Sequence, residues 1–106
     1  MDVPDNLALE LRRGVIVLAV LSQLGEEQYG YALIKRLTAQ GLEIDQGTLY
    51  PLLRRLEADG LLESEWRVEG SRPRRYYTLS PAGAQILRAL KDEWEALGEV
   101  MERILS

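Results

Sequence analysis

Four arginines lie close together in the sequence, opposed there by Glu69 alone: Arg67, Arg72, Arg74 and Arg75. A guanidinium group binds phosphate through charge and paired hydrogen bonds, so this segment could contact a polyanion such as nucleic acid. The net charge of the whole chain is −4, which taken alone argues against such a partner, and a lone basic run is usually solvated surface. The distribution of charge is therefore more informative than its sum.

A second group of polar and basic residues accompanies a stripe of leucines. Leu49, Leu52, Leu53 and Leu56 recur at the spacing of one helix face, so on a helix the residues between them point outward or flank that face. The residues in these positions are Gln46, Gly47, Thr48, Tyr50, Pro51, Arg54 and Arg55.

The outward residues are of types that suit contacts with DNA. Gly47 permits close approach of the backbone, Thr48 and Tyr50 supply hydroxyl groups, and the Arg54 guanidinium can reach phosphate or guanine. The Gln46 amide is the candidate for reading adenine. The alternative is that Thr48 and Tyr50 only cap the helix and pack against it.

The sequence offers little for catalysis or metal binding. It contains no cysteine and no histidine, which removes disulfides, thiolate nucleophiles, imidazole bases and most transition-metal sites. The neighbouring carboxylates Glu26 and Glu27, like Asp92 and Glu93, would point in different directions on a helix, so a solvated face explains them better than catalysis does. We therefore expect neither an enzyme nor a bound metal or cofactor.

Length and hydropathy indicate one cytoplasmic domain. A chain of 106 residues fits a single core, which makes a separate sensor domain unexpected. No apolar run approaches the roughly 20 residues that span a membrane. Positions 1–6 include Asp2 and Asp5 and no basic cluster, unlike the start of a secretory signal.

Hydrophobic spacing predicts two helices in the first part of the chain. The first follows a cap at Asn6 and continues to Gly25, and its wide apolar stripe predicts burial on more than one side. A polar turn at 25–28 leads to the second helix at 29–40. That helix carries Lys35, which could touch phosphate, although contact with solvent explains it equally well.

The leucine stripe predicts the third helix, capped by Asp45 and ending before Gly60. Pro51 loses a backbone hydrogen bond inside a helix, so this helix either starts at Pro51 or has a distorted first turn. The apolar link at 42–44, ahead of the cap, is long enough for a small strand.

A β-hairpin with a basic tip is predicted after the third helix. Residues 61–68 alternate, with Trp66 and Val68 on the apolar face, and residues 75–79 are of strand type. Glycine and proline within 69–73 indicate the turn between them. A hairpin projects its tip, and arginines there suit the narrow, electronegative minor groove of DNA.

The last predicted helix spans 80–106, with Ser80 as its cap and Pro81 at its first position. A heptad seam follows at Leu87, Leu90, Trp94, Leu97, Met101 and Ile104. The seam could pack on the first helix of its own domain or on a second copy of the chain. Further apolar residues broaden it, which favours dimerisation, and both packings can hold together.

Three helices, a two-stranded wing and a final helix follow the order of a winged helix-turn-helix. We therefore predict a mainly α fold with a small β-hairpin, in which residues 1–79 form the winged helix-turn-helix domain and residues 80–106 a C-terminal dimerisation helix, as one compact unit. Three segments, which together extend from the second helix into the fourth, resemble the PadR family of transcriptional regulators: Tyr29–Tyr31, Gly47–Leu56 and Arg72–Gly83. The pair Asp45-Gln46 departs from the small polar residue or proline common in the family, which leaves base preference open.

The resemblance implies a winged-helix repressor that dimerises through its C-terminal helix, binds a palindromic operator and is released by a small molecule. The short chain is similar to members whose C-terminal region is a single helix. An aromatic or drug-like effector would bind in the dimer seam at Trp94, with Leu90 and Val15 nearby, although Trp94 could simply fill the interface. The alternative function is a winged-helix adaptor that binds proteins and no operator, which would fit the acidic net charge.

Overall fold

The computed structural model describes residues 2–106 and contains four helices and three strands. In chain order these are α1 (Asp5–Gln23), β1 (Gln28–Tyr29), α2 (Gly30–Ala39), α3 (Gln46–Ala58), β2 (Leu62–Glu69), β3 (Arg72–Leu79) and α4 (Pro81–Leu105). The strands form an antiparallel sheet in the order β1-β3-β2. The predicted fold class, a mainly helical winged helix-turn-helix with a small sheet, is confirmed.

One hydrophobic core joins α1, α2 and α3 to the base of the sheet. The leucine stripe of α3 is buried as predicted, because its four side chains lie against the other helices rather than towards solvent. The complete core consists of Ile16, Val20, Leu21, Leu24, Leu33, Leu37, Ile44, Leu49, Leu52, Leu53, Leu56, Leu62 and Tyr77.

Only the C-terminal half of α1 contributes to this core. Ile16 and Val20 are buried, whereas Leu7, Leu9 and Leu11 each expose half or more of their surface. The expectation that this helix is buried on more than one side is therefore wrong for its first turns, since no element of the described chain covers them.

The sheet contains a strand that the sequence does not indicate. Gln28 and Tyr29, predicted as part of a turn and as the start of a helix, form β1 and pair with Tyr77 and Tyr76 of β3. A strand of two residues shows no alternation, so its existence depends on the free edge that β3 offers. The Gln28 amide also donates to the Gln23 carbonyl at 2.5 Å, which anchors β1 to the end of α1.

Two further boundaries differ from prediction. α1 begins at Asp5, with Pro4 in the capping position, rather than after a cap at Asn6. The link at 42–44 is not a strand, because its first backbone amide turns back to the Leu37 carbonyl and closes the end of α2.

α3 is continuous through its proline. It begins at Gln46, where the Asp45 carboxylate accepts a hydrogen bond from the Thr48 amide at 2.7 Å. The predicted start at Pro51 is wrong, because this cap supports a start one turn earlier and Pro51 removes a single backbone bond, that to the Gly47 carbonyl.

β2 and β3 form a longer wing than predicted. Their pairing continues from Leu62 opposite Leu79 to Glu69 opposite Arg72, which reduces the turn to two residues, Gly70 and Ser71. Gly70 has a φ of +64°, and a glycine with positive φ at the first turn position matches the twist of a two-residue hairpin. The pairing therefore reaches the tip.

α4 is packed over its first three turns and free beyond them. The Ser80 hydroxyl accepts from the Gly83 amide at 3.0 Å and donates to the Gly60 carbonyl at 2.6 Å, so it caps α4 and ties it to the end of α3. Leu87 and Leu90 contact the core, whereas every residue after Leu90 is exposed. Within residues 2–106, no helix is long and apolar enough to cross a membrane, and no group of three or more acidic residues could hold a metal.

Gly83 allows α4 to approach the start of β2, since an added Cβ would overlap the Leu61 carbonyl oxygen. Because backbone atoms cannot move aside cheaply, we expect Gly83→Ala to lower the free energy of unfolding by about 1–3 kcal/mol in urea titrations. The control is Gly14→Ala, where a Cβ meets open space in a helix, and where we expect unchanged or higher stability. Equal behaviour of the two variants would contradict this account of α4 packing.

Candidate nucleic-acid interface

The exposed face of α3 carries the residues predicted to contact DNA. With the leucines in the core, six of these residues are exposed to solvent: Gln46, Gly47, Thr48, Pro51, Arg54 and Arg55. The Asp45 cap orders the first turn, where the helix dipole and free backbone amides favour phosphate. The structure thus assembles these residues on one surface, as the leucine spacing predicts.

Tyr50, the remaining predicted residue of α3, is half-buried and packs on Gly30. An added Cβ on Gly30 would overlap the Tyr50 ring, so only glycine allows the ring to occupy this position. Gly30 is the first residue of α2, which means that it also sets the spacing between the two helices. The Tyr50 ring therefore packs against α2, which agrees with the alternative that Tyr50 has a packing role. The same side chain also lines the cleft described below.

The three arginines predicted to form one basic tip occupy three different environments. Arg72 lies beside the turn and is exposed, and within residues 2–106 it forms no ion pair. Arg74 lies 3.6 Å from the Glu69 carboxylate and stacks 4.4 Å from the Tyr29 ring centre. Arg75 points to the opposite face of β3, because successive side chains of a strand alternate, and it bonds to Glu57 of α3.

Two other basic residues lie at the edges of this surface. Lys35 is exposed on α2, with its ammonium 5.6 Å from the Tyr31 ring centre. The Arg67 guanidinium donates to the Glu65 carboxylate at 2.6 Å and to the Glu27 carboxylate at 2.7 Å, and these hydrogen bonds, the one to Glu65 most strongly, raise the pKa of Arg67. The charge of Arg67 is thus offset by two carboxylates.

A cleft of about 330 Å³ separates α3 and the start of α2 from the wing. Its walls combine aromatic rings with guanidinium groups, contributed mainly by Tyr29, Tyr31, Tyr50, Arg54, Trp66, Arg74, Arg75 and Tyr77. Stacking surfaces, hydroxyl groups and cations in one groove are the features that hold a sugar-phosphate strand.

Sequence reasoning missed four of the aromatic residues in this cleft. Tyr29 and Tyr31 flank Gly30 in one of the segments that resemble PadR proteins, and that segment is the signal that could have found them. Tyr77 lies in another of these segments, Arg72–Gly83, and has the same signal. Trp66 lies in none of them, and alternation in a strand predicts an apolar face without saying whether that face meets a core or a groove. In the structure Trp66 is 64% exposed, whereas Tyr77 is buried.

Tyr77 places a polar group in the floor of the cleft. Burial raises its pKa, although the neighbouring Arg75 acts in the opposite direction. Its hydroxyl has no hydrogen-bond partner among residues 2–106. Because the oxygen is not fully buried, it is accessible to solvent in the cleft. The phenol therefore stays neutral and available as a donor near neutral pH.

The predicted seam of α4 divides into a packed part and a free part. Leu87 and Leu90 are half-buried against the core of their own domain. Trp94, Leu97, Met101 and Ile104 expose between 44% and 66% of their surface. Val15, predicted to lie near the effector, is half-buried on α1, the helix on which α4 packs.

Residues 17–89 match the family model described as the transcriptional regulator PadR-like family. The chain belongs to this family. It is 41% identical over 97 residues to the transcriptional regulator Rv3488 of Mycobacterium tuberculosis, a match that covers 91% of this chain and 88% of that protein. PadR-like proteins regulate transcription by binding DNA and are not enzymes.

Solved structures of transcriptional regulators share the fold described above. The crystal structure of a PadR family regulator from Eggerthella lenta superposes with a TM-score of 0.90 at 48% identity and covers 95% of this chain and 90% of that chain. A transcriptional regulator from Clostridium thermocellum superposes at 0.83 with 30% identity, and covers 92% and 99% of the two chains.

Proposed function

We propose that this PadR-like protein is a homodimeric, cytoplasmic repressor that binds a specific palindromic operator. The observation that carries the proposal is the position of two exposed arginines without ion pairs among residues 2–106: Arg54, which lines the cleft between α3 and the wing, and Arg72, which lies beside the turn at the tip of the wing. Phosphate binding needs cations that carboxylates do not already neutralise. An acidic chain can bind DNA when such cations are gathered on one surface.

Two neighbouring grooves of DNA would receive the two sides of this surface. α3 enters the major groove, where the Gln46 amide reads adenine and Arg54 reaches guanine or phosphate, while the wing tip with Arg72 enters the adjacent minor groove. One sugar-phosphate strand separates the two grooves, so that strand must pass through the cleft. There it meets the hydroxyls of Tyr50 and Tyr77.

The remaining candidate residues would surround this strand. Thr48 and the first-turn backbone at Gly47 face phosphate at the N-terminus of α3, and Pro51 limits how closely the helix approaches the bases. Arg55 and Lys35 supply further cations on the two helices. Contacts of this kind position the protein on DNA, whereas those to base edges specify the sequence.

The C-terminal part of α4 supports dimerisation. From Trp94 onward its apolar seam has no partner in the described chain, and the exposed leucines of α1 add to the unpartnered surface. A helix with such a stripe gains its stability by burying it, and a second copy of the chain does so symmetrically. The two domains 1–79 would then be joined through the helices 80–106, which places the two α3 helices about one DNA turn, roughly 34 Å, apart.

An effector would act by changing that separation. Trp94 exposes half of its surface on α4, so two copies of the indole could enclose a flat aromatic molecule between Leu90 and Val15 of the two subunits. A ligand that binds one separation of the domains better than the other shifts the population towards it. Release from the operator follows if the favoured separation does not match the half-sites.

Binding to DNA is tested by fluorescence anisotropy on a fragment from upstream of the protein's own gene, with an unrelated duplex as comparison. We expect Arg54→Ala to lose about 1–3 kcal/mol of binding free energy, and Arg72→Ala to reduce the slope of log K against log salt by about 1. The control is Arg88→Ala, an exposed arginine of α4 outside the surface. Equal affinity for both duplexes, with no effect of either substitution, would instead favour the adaptor function.

Dimerisation is tested by sedimentation equilibrium. We expect Leu97→Ser combined with Met101→Ser to convert a dimer into a monomer of about 12 kDa, because two apolar contacts of the seam become polar. The control is Val68→Ser, which changes a still more exposed apolar residue on the wing. A seam variant that remains dimeric would show that another surface joins the subunits.

Effector binding is tested by calorimetric titration of the protein with neutral, cationic and anionic planar aromatic compounds. We expect at least one compound to bind wild type with one molecule per dimer, and Trp94→Ala to weaken that binding at least tenfold. The control is Trp66→Ala, which removes the other tryptophan. Binding by neither wild type nor control, across the whole panel, would remove the case for an aromatic effector at the seam.

A further inference from the structure

We propose that Arg75 acts as a brace that sets the angle between the wing and α3, and that it is not a DNA contact. The consequence for DNA binding rests on the function proposed above, whereas the brace itself does not. Arg75 belongs to the arginine cluster of the sequence and, like Arg74, lines the cleft, but of the three wing arginines Arg72, Arg74 and Arg75 it is the one whose ion pair is with a carboxylate of α3.

Three side chains from three elements form a closed hydrogen-bonded ring. Arg75 of β3 donates through Nη2 to Glu57 Oε1 at 2.7 Å and through Nε to Ser64 Oγ at 2.9 Å. The Ser64 hydroxyl of β2 donates in turn to Glu57 Oε2 at 2.6 Å. Both carboxylate oxygens of Glu57 thereby accept hydrogen bonds from the wing, one from each strand.

The closed ring with Ser64 distinguishes this pair from the other ion pairs of the wing. The side chains of Arg75 and Glu57 expose 33% and 28% of their surface, and the Arg75 guanidinium lies 5.7 Å and 5.5 Å from the ring centres of Trp66 and Tyr77. By contrast, the Arg74 and Glu69 pair at the tip is longer and more exposed. A partly desolvated, doubly bonded pair fixes geometry better than a solvated one.

The position of Arg75 suits a brace. It lies opposite Trp66 in the middle of the wing, yet its side chain reaches back to the last turn of α3. Leu62 and Tyr77 hold the base of the wing in the core, and this diagonal link ties the middle of the wing to α3. The contacts of Arg67 with Glu27 and of Arg74 with Tyr29 restrain the other face of the wing, so Arg75 provides the restraint on the face towards α3. A change in that angle would prevent α3 and the tip from entering neighbouring grooves together.

The two possible roles of Arg75, a phosphate contact and a brace, predict opposite effects of Glu57→Gln on DNA affinity. If Arg75 contacted phosphate, loss of the competing carboxylate would tighten DNA binding and steepen its salt dependence. If Arg75 is a brace, the same change weakens binding, by about five- to tenfold, and leaves the salt slope unchanged. Tighter binding with a steeper slope would overturn the proposal.

Arg75→Lys separates charge from geometry in the same assay. Lysine keeps the positive charge but cannot bond to Glu57 and Ser64 in the planar arrangement of a guanidinium. We expect it to bind DNA as weakly as Arg75→Gln, whereas a phosphate contact would be largely retained by lysine. Ser64→Ala, which removes one link of the ring, serves as a milder variant and should lie between wild type and Arg75→Gln.

A distance measurement without DNA tests the brace independently. The chain has no native cysteine, so spin labels at Ser71→Cys on the tip and Ala58→Cys on α3 can be placed cleanly, with excess unlabelled protein to isolate distances within one subunit. We expect the distance distribution to be broader or shifted in Glu57→Gln and Arg75→Gln. We expect it to be unchanged in Glu63→Gln, which alters an exposed glutamate of β2 outside the ring. Unchanged distributions in both ring variants would refute the brace. A clear effect in a protein that fails to bind DNA would refute only the proposed function.

Discussion

Burial of the α3 leucine stripe is the constraint on which the rest of the structure depends. Leu49, Leu53 and Leu56 are almost wholly removed from water, and each such side chain contributes roughly 1.5–3 kcal/mol relative to exposure. Since a helix has a fixed period, placing these residues inward leaves Gln46 and Arg54 outward. The core and the candidate DNA surface are therefore two faces of one helix, and substitutions in either bear on the other.

Charge pairing then decides which cations remain free. The wing is rich in arginine, but carboxylates of the same region engage Arg67, Arg74 and Arg75 to different degrees. Among residues 2–106, this leaves Arg72 at the tip and Arg54 and Arg55 on α3 without ion pairs. Such a local group of cations is compatible with a net charge of −4 in a DNA-binding family. Local pairing thus carries more information about the partner than the sum of charges.

The uneven packing of α1 and α4 bears on how the chain could associate with a second copy. One half of each helix belongs to the core, and the other half presents apolar side chains to solvent. Large unpartnered apolar surfaces of this kind mark interaction sites in soluble proteins. The same two helices would link the domain to its proposed partner, and the effector proposed at the seam would lie one helix away from the candidate DNA surface.

The sequence by itself determined the elements whose signals are local. Periodic leucines predicted α3, a serine cap with Pro81 predicted the start of α4, and the segments that resemble PadR proteins identified the family. Tertiary structure alone decided the features that need partners from elsewhere in the chain. β1 exists because β3 offers an edge, the first turns of α1 are exposed because no element among residues 2–106 covers them, and Arg75 meets Glu57 because α3 packs against its face of the wing. Spacing along a chain encodes which face a residue occupies, but which groups meet across that face is settled only when distant segments pack.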